Sequence, residues 1–420
     1  MNILVIGGGA REHALVWKLR QSPLVESLFC LPGNAGIATL CPTEAIAVDD
    51  LPAILAFAKS QLIDLVVVGP ELPLTLGLVD RFAAEGIAAF GPSQAAARLE
   101  GSKGFMKDFC ARYGIPTAAY RRFNAQQRAA AHDFCDSLGG LAVVKADGLA
   151  AGKGVTVPTT TLEAHLAIDE ALLHNRFGRA GQEIVIEERL VGREYSFFAL
   201  CDGKTARPFG AASDYKRLKD GDQGPNTGGM GAVSVSLSSA QTAEIMDQII
   251  RPSLDGMRAE GNPFVGILFA GLMLTDDGFK LIEYNVRLGD PETLVVMMQL
   301  RSDLAAILTA TLHGELASQT IEWRDQPVVA VVLAAGGYPA GPLTSGRLGN
   351  LAAINNQEDR MVFHAGTRMA DQEVMASGGR VLAITARAAT LTEARQKVYA
   401  AYGLLDYPAD FQMRTDIGTG

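Results

Sequence analysis

The sequence predicts an α/β protein of several domains that opens with a doubly wound parallel sheet. Three observations carry this. Through residues 1–92 short apolar strands alternate with amphipathic helices. Three of those strands run into loops rich in glycine and proline. The chain has 420 residues, which at roughly 100–200 per domain gives about two to four domains with ample core.

Taken in order, the apolar runs at 3–6, 28–31, 62–68 and 87–90 read as strands, and helices start at Arg11, Leu51 and Leu74. The loops Gly7-Gly8-Gly9, Pro32-Gly33-Asn34-Ala35-Gly36 and Gly69-Pro70-Glu71 lie at the carboxyl ends of strands, where open parallel sheets bind ligands. A helix is predicted over 103–113, ending before Ile115-Pro116. Residues 120–190 read as a small α/β lobe with helices near 125–137 and 161–174 and strands at 141–146, 155–157 and 183–188. Residues 191–325 bring strands, a long glycine-rich loop at 210–231, a helix from Ser238, a hairpin through Asp276-Asp277-Gly278 and a helix from Pro291. The remainder, 326–420, opens with a strand at 328–333 and closes with a helix near 391–401.

Composition narrows the function. Apolar residues at 48% and charged residues at 20% exclude disordered and fibrous classes. A net charge of −9 without a long basic run gives no footprint for nucleic acid or an anionic membrane. The five cysteines form no Cys-x-x-Cys pair, so neither a disulfide framework nor a zinc site is expected. The opening residues enter a strand without a basic segment, and the longest apolar run, 328–335, is too short to span a bilayer. A soluble, cytoplasmic protein is the expectation.

The first glycine loop does not fit a dinucleotide site, because Glu12 stands where a third glycine would allow close helix packing. It reads either as a tight turn or as an anion cradle, with Arg11 and His13 at a helix N-terminus. The run 147–154 is one residue short of a P-loop and lacks the Ser or Thr after Lys153. With Lys145 inward on the strand before it, this run reads as a flap over nucleotide phosphates. The segment around Glu187, Glu188 and Leu190 reads as a buried strand or as a hinge reading adenine, with Glu194 at a distance suited to ribose. By period-two alternation, Phe279, Leu281, Glu283 and Asn285 share one strand face, and Lys280, Ile282 and Tyr284 the other. Glu283 and Asn285 offer hard oxygen ligands for Mg²⁺, and Arg287 suits a substrate carboxylate. The loop 224–231 offers consecutive N–H groups as an anion nest, Asp214 and Lys216 precede it, and Asp290-Pro291-Glu292 is expected to cap the next helix.

These motifs together resemble the ATP-grasp superfamily, and within it the phosphoribosylamine-glycine ligase family. The resemblance covers essentially the whole chain, and its most specific parts are 145–154, 224–231 and Gly289-Asp290-Pro291-Glu292. It implies an ATP-grasp fold: an N-terminal substrate domain over 1–102, a lid over 120–190, a central α+β domain over 103–119 and 191–325, and a small C-terminal domain over 326–420. It also implies ligation of glycine to 5-phosphoribosylamine through glycyl phosphate, with ATP as co-substrate, Mg²⁺ or Mn²⁺ on Glu283 and Asn285, and a monomer or dimer. ATP would be held by Lys103, Lys145, Gly152, Lys153, Gly154, Glu187, Glu188, Leu190 and Glu194. Arg287, Asp214 and Lys216 would be catalytic. Glycine and phosphoribosylamine would meet Gly9, Arg11, His13, Gly33, Asn34, Gly36, Pro70, Glu71, Asn226, Thr227, Gly228, Gly229 and Asp290. The chain departs from the family pattern at Tyr215, where an imidazole is usual, at Leu294, and at Val286 and Leu288 around Arg287. The rival readings are another ATP-grasp carboxylate-amine ligase and a non-catalytic nucleotide sensor.

Overall fold

A computed structural model describes residues 1–149, 154–174, 176, 178–342, 345–354 and 358–419. The chain begins with β1 (Asn2–Gly7), α1 (Ala10–Leu19), β2 (Ser27–Pro32), α2 (Leu51–Ser60), β3 (Leu65–Val68), α3 (Glu71–Thr75), α4 (Leu78–Ala84) and β4 (Ala88–Phe90). The four strands form a parallel sheet in the order β2-β1-β3-β4. Two elements differ from the sequence reading. The third strand starts at Leu65, because Leu62 is exposed and takes a positive φ of 50° in a turn. The helix expected from Leu74 is two helices, separated by Gly77 at φ +82°.

The short α5 (Arg98–Gly101) and α6 (Lys103–Tyr113) lead into the lobe. There β5 (Tyr120–Asn124), α7 (Arg128–Ser137), β6 (Val143–Ala146), β7 (Val155–Thr156), α8 (Thr161–Leu172) and β8 (Glu183–Glu187) build an antiparallel sheet, ordered β5-β8-β6-β7, with both helices packed on it. Its core is apolar on one side only. On the other side Lys145 and Glu187 are buried against the body of the protein.

After the lobe come β9 (Arg193–Asp202), β10 (Ala206–Asp214), β11 (Arg217–Lys219), β12 (Gln223–Asn226), β13 (Gly231–Ser234), α9 (Ser239–Ile245), α10 (Arg251–Ala259), β14 (Val265–Thr275), β15 (Gly278–Asn285), α11 (Glu292–Gln299) and α12 (Leu304–Leu312). The last part holds β16 (Val328–Ala334), β17 (Arg347–Leu348), α13 (Leu351–Ile354), β18 (Arg360–His364), β19 (Thr367–Ala370), β20 (Glu373–Ala376), β21 (Arg380–Arg387) and α14 (Leu391–Tyr402). One antiparallel sheet of eight strands, β15-β14-β9-β10-β13-β16-β21-β18, runs through both parts and joins residues on either side of 325. Its inner strand β16 is buried at every residue, which is why that stretch reads as an unbroken apolar run. The expected loop at 210–231 is largely structured: β10 continues to Asp214, and β11 pairs with β12 in a small hairpin.

All five cysteines are free and buried. No helix among the described residues is long and apolar enough to cross a membrane.

Candidate functional site

The strand ends carrying the glycine loops, the lobe and the end of β15 converge on one cluster of charged side chains. The geometry of β15 sets it up. A register shift lies between the pairs Gly271–Glu283 and Leu272–Leu281, leaving Ile282 as the extra residue of a bulge. Strict alternation across 279–285 is therefore wrong. Phe279, Leu281, Tyr284 and Val286 all enter the same apolar core, and Glu283 and Asn285 turn away from it together. The bulge removes the cost of burying a carboxylate and an amide on a face begun by Phe279 and Leu281.

Burial would raise the Glu283 carboxyl, but Lys216, Lys145, Lys103 and Arg287 outweigh it and hold it below the usual glutamate value. The site therefore presents a carboxylate among four cations. Neither Glu283 nor Asn285 spends its side chain on a hydrogen bond within the described residues, so both oxygens are free for a hard cation.

Behind them lies a buried ion triad. Glu187 receives Lys145 Nζ at 2.9 Å and Lys107 Nζ at 3.0 Å, and all three side chains are at most 4% exposed. Lys107 also donates to Thr117 Oγ1 at 2.7 Å, and Lys145 to Ile282 O at 3.2 Å. Glu187 thus faces two lysines, while its Oε1 accepts no hydrogen bond among the described residues and keeps an acceptor for the adenosine it is expected to hold. Glu188 and Leu190 follow the strand end with half-buried side chains. Glu194, expected at ribose, pairs with Lys216 at 2.7 Å in this state. Lys103 donates to Gly148 O at 3.3 Å, and Asp147 accepts from Ser102 Oγ at 3.1 Å and from the Gly104 N–H, tying residues 147–148 to the N-terminus of α6. Gly154 accepts from Ala146 N at 2.8 Å. Gly152 and Lys153 lie outside the described residues.

Arg287 is already engaged: Nη2 donates to Glu100 Oε1 at 2.7 Å and Nε to Glu71 Oε2 at 3.3 Å. Glu100 also accepts from Val286 N at 2.7 Å. The arginine thus joins the 69–71 loop to β15. Glu71 is pulled below its usual pKa against its own burial, chiefly by Arg287 and then by Arg11.

The first glycine loop is half spent as an anion cradle. Glu12 Oε2 takes the Gly9 N–H at 2.7 Å and Oε1 takes Arg11 Nε at 2.6 Å. The carboxylate packs so closely that a Cβ on Gly69 would lie 2.0 Å from Oε1. Arg11 keeps its charge: burial opposes it, but Glu12, Asp290 and Glu71 outweigh burial and raise its pKa. His13 cannot serve as a cation. Burial, then His364, holds it well below the usual histidine value, and its Nδ1 accepts the His364 N–H at 2.8 Å, which leaves the proton on Nε2. A Cβ on Gly36 would strike both rings, at 2.3 Å and 2.6 Å. Gly33 takes φ +73° beside Thr43, and Pro70 is the N-cap of α3. Asn34 accepts from Gly36 N and Ile37 N at 3.0 and 2.9 Å, and donates to Gly8 O and His364 O at 2.9 and 2.8 Å.

The 224–231 loop is not an open nest. Thr227 N donates to Lys216 O, Gly228 N to Tyr338 Oη, Gly229 N to Thr227 Oγ1 and Met230 N to Tyr215 O, at 2.7 to 3.0 Å. Asn226 ends β12 opposite Arg217. Arg380, on β21, fixes the loop by donating to Gly228 O and Asp290 O at 2.6 Å each. Asp290 does not cap α11, whose N-cap is Pro291; its carboxylate faces Arg380 at 3.4 Å and the Arg11 N–H at 3.4 Å. Asp214 is raised by burial, against Lys216 at 4.0 Å. The buried Glu292 accepts from Ser196 Oγ at 3.1 Å and is pushed up to about 7 by burial and by Asp214.

The models of phosphoribosylglycinamide synthetase match this chain in three parts: the N domain over residues 1–100, the ATP-grasp (A) domain over 101–293 and the C domain over 328–420. The chain belongs to the phosphoribosylglycinamide synthetase family. A phosphoribosylamine-glycine ligase of Brucella melitensis biotype 1 is 53% identical over 420 residues, covering 100% of this chain and 97% of the relative. The crystal structure of phosphoribosylamine-glycine ligase from Thermotoga maritima superposes with a TM-score of 0.86 at 29% identity, over 99% of this chain and 100% of that one. A biotin carboxylase complex from Campylobacter jejuni, at 16% identity and TM-score 0.74 over 98% of this chain and 93% of that one, shares the fold.

In this member of the phosphoribosylglycinamide synthetase family, two of the departures from the family pattern, Tyr215 and Leu294, point their side chains away from the charged cluster, whereas Val286 and Leu288 flank Arg287 within it. Tyr215 Oη accepts the Gly418 N–H at 3.1 Å beneath the Arg414 guanidinium, and Leu294 is fully buried in apolar core. Sequence reasoning missed Glu12, Glu100, Lys107, Glu292 and Arg380 as site-building residues. The first four are charged residues at or near buried helix starts, where an apolar residue would otherwise pack. Arg380 carries no local signal, since its partners are 90 or more residues away.

Proposed function

We propose that this chain joins glycine to 5-phosphoribosylamine with cleavage of ATP, giving glycinamide ribonucleotide, ADP and phosphate, a step of purine biosynthesis. The observation that carries the reading is the unspent pair Glu283 and Asn285, set among Lys103, Lys145, Lys216 and Arg287. A Mg²⁺ or Mn²⁺ ion held by Glu283 and Asn285 would supply charge neutralisation on the transferring phosphoryl group. Lys103 and Lys145 hold the phosphates, and Glu187 keeps Lys145 aimed. A glycine carboxylate oxygen attacks the γ-phosphorus; the new P–O bond forms as the bond to ADP breaks. The amine of phosphoribosylamine then attacks the carbonyl carbon of glycyl phosphate, a C–N bond forms, phosphate leaves and the amine gives up a proton.

Arg287, Asp214 and Lys216 place glycine, and Arg11 with the 32–36 and 69–71 loops places the phosphorylated amine. Residues 120–190 act as a lid, and enclosing the intermediate protects it from water. No enzyme nucleophile is needed, so rate comes from orientation and electrostatics. The reading places the enzyme in the cytoplasm as a monomer or dimer, with no nucleic-acid or membrane partner. Release of ADP, measured with glycine and fresh phosphoribosylamine each omitted in turn, should require both. Equal release without either substrate would reject the ligase reading.

A further inference from the structure

A polar cavity of about 390 Å³ lies away from the charged cluster, at the other ends of two helices that help to build that cluster. Helix α1 begins near the site, where Arg11 meets Leu288 O, and about 10 Å further along its axis presents Trp17 and Lys18 to the cavity. Helix α11 begins at Glu292 in the site and ends beside the same cavity at Met298 and Leu300. Arg324 and Arg387 complete the cationic wall, and among the described residues the one carboxylate in the lining is Glu358.

The cations are more numerous than their structural duties require. The C-terminal carbonyls of α11 are already served, Leu300 O by Lys18 Nζ at 2.6 Å and Gln299 O by the backbone N–H of Arg324 at 2.8 Å. Arg387 has Glu358 at 3.1 Å, but that carboxylate is 89% exposed and is a weak, solvent-screened partner. The Arg324 guanidinium makes no hydrogen bond to any described residue, and its Nε is buried without a partner. A buried unspent donor on a cation costs stability unless an anion meets it. Lys18 feels the same surplus: burial, then repulsion from Arg324, lowers it to about 8 although Asp303 opposes this.

The geometry points to a binding site for a phosphate-bearing small molecule, held by Arg324, Arg387 and Lys18 with Trp17 along its wall. Three cations against the exposed Glu358 and the Asp303 carboxylate beside Lys18 leave a net positive charge that a phosphate ester, at about −1.5 to −2 near neutral pH, would offset. Arginine forks match phosphate oxygens in pairs. The volume suits a phosphorylated sugar or a nucleotide. Because α1 and α11 reach the charged cluster with their opposite ends, a ligand here bears on the placement of Arg11 and Glu292.

The test uses the full chain with Trp323→Phe, which leaves Trp17 as the only tryptophan. With no other nucleotide present, pyrophosphate or AMP is titrated while Trp17 fluorescence is read. A saturable change is expected, with the dissociation constant at least tenfold weaker in Arg324→Gln and in Arg387→Gln. Equal binding of both probes assigns recognition to phosphate alone, and tighter AMP binding assigns it to a nucleotide; either upholds the site. Thermal unfolding of Arg324→Gln without ligand should occur no earlier than in the parent, since its guanidinium has no bond to lose, so weaker binding there is not a folding defect. No saturable change, or binding unaltered by both substitutions, overturns the proposal.

Discussion

Replacing Glu187 with glutamine strips the neutralising charge from two lysines at once. In the folded protein Lys107 and Lys145 approach this carboxylate to 3.0 and 2.9 Å, with Lys107 wholly buried and the other two side chains almost so. Removing one member of a buried pair typically costs about 3–5 kcal/mol, because the remaining charge is left without compensation. Solvent screening gives no discount here. A loss of at least about 3 kcal/mol is therefore expected in denaturant unfolding, together with a raised KM for ATP, because Lys145 loses the partner that aims it. The pH dependence has a definite sign. Burial already holds Lys107 below the ordinary lysine value, with Glu187 as its main support, and the substitution lowers it further. The unfolded chain then binds more protons than the folded one, so the variant gains stability as pH rises toward about 10, the ordinary lysine value. Adding Lys107→Met to Glu187→Gln should recover part of the loss, since an apolar side chain needs no counter-charge. A loss under about 1 kcal/mol, with an unchanged KM for ATP, would refute the role given to the triad.

Three further outcomes follow from the same geometry. Glu283→Gln should fold normally but lower kcat by about a hundredfold or more even at saturating Mg²⁺, because a ligand carboxylate is lost where charge develops; steady-state kinetics across a Mg²⁺ series checks this. Arg380→Ala should raise the KM for glycine about tenfold while leaving ATP binding unchanged by calorimetry, since it frees Gly228 and Asp290 but touches neither the lobe nor Lys103. Glu292 is raised to about 7, so the folded protein holds a proton there that the unfolded chain releases near the usual glutamate value. Its contribution to stability is present in acid and is lost as pH rises through about 7; Glu292→Gln should therefore be more stable than the parent above that pH by about 1 kcal/mol or more, with the gap closing toward pH 5 in denaturant unfolding.

The parallel sheet was legible because β1, β2 and β3 are short apolar runs stopped by glycine or proline, and the 103–113 helix because Ser102 caps it and Gly114 ends it. The Glu283 and Asn285 pair proposed as metal ligands stands out by residue type alone, but its face does not. A bulge at Ile282 is a property of pairing with β14, and nothing local in Phe279 to Asn285 marks it. The nest reading of 224–231 failed for a related reason: glycine content signals that backbone N–H groups are accessible, whereas distant residues such as Tyr338 decide whether they stay free. The neutral state of His13 is likewise invisible locally, since it depends on burial and on His364, 351 residues along the chain.

In the proposed reaction the glycine carboxylate itself attacks ATP. Turnover with glycine carrying ¹⁸O in its carboxylate, followed by mass analysis of the released phosphate, tests that most directly. Each inorganic phosphate should carry one oxygen from glycine, because the C–O bond of glycyl phosphate is the one that breaks. Phosphate free of the label, with product still formed, would contradict it.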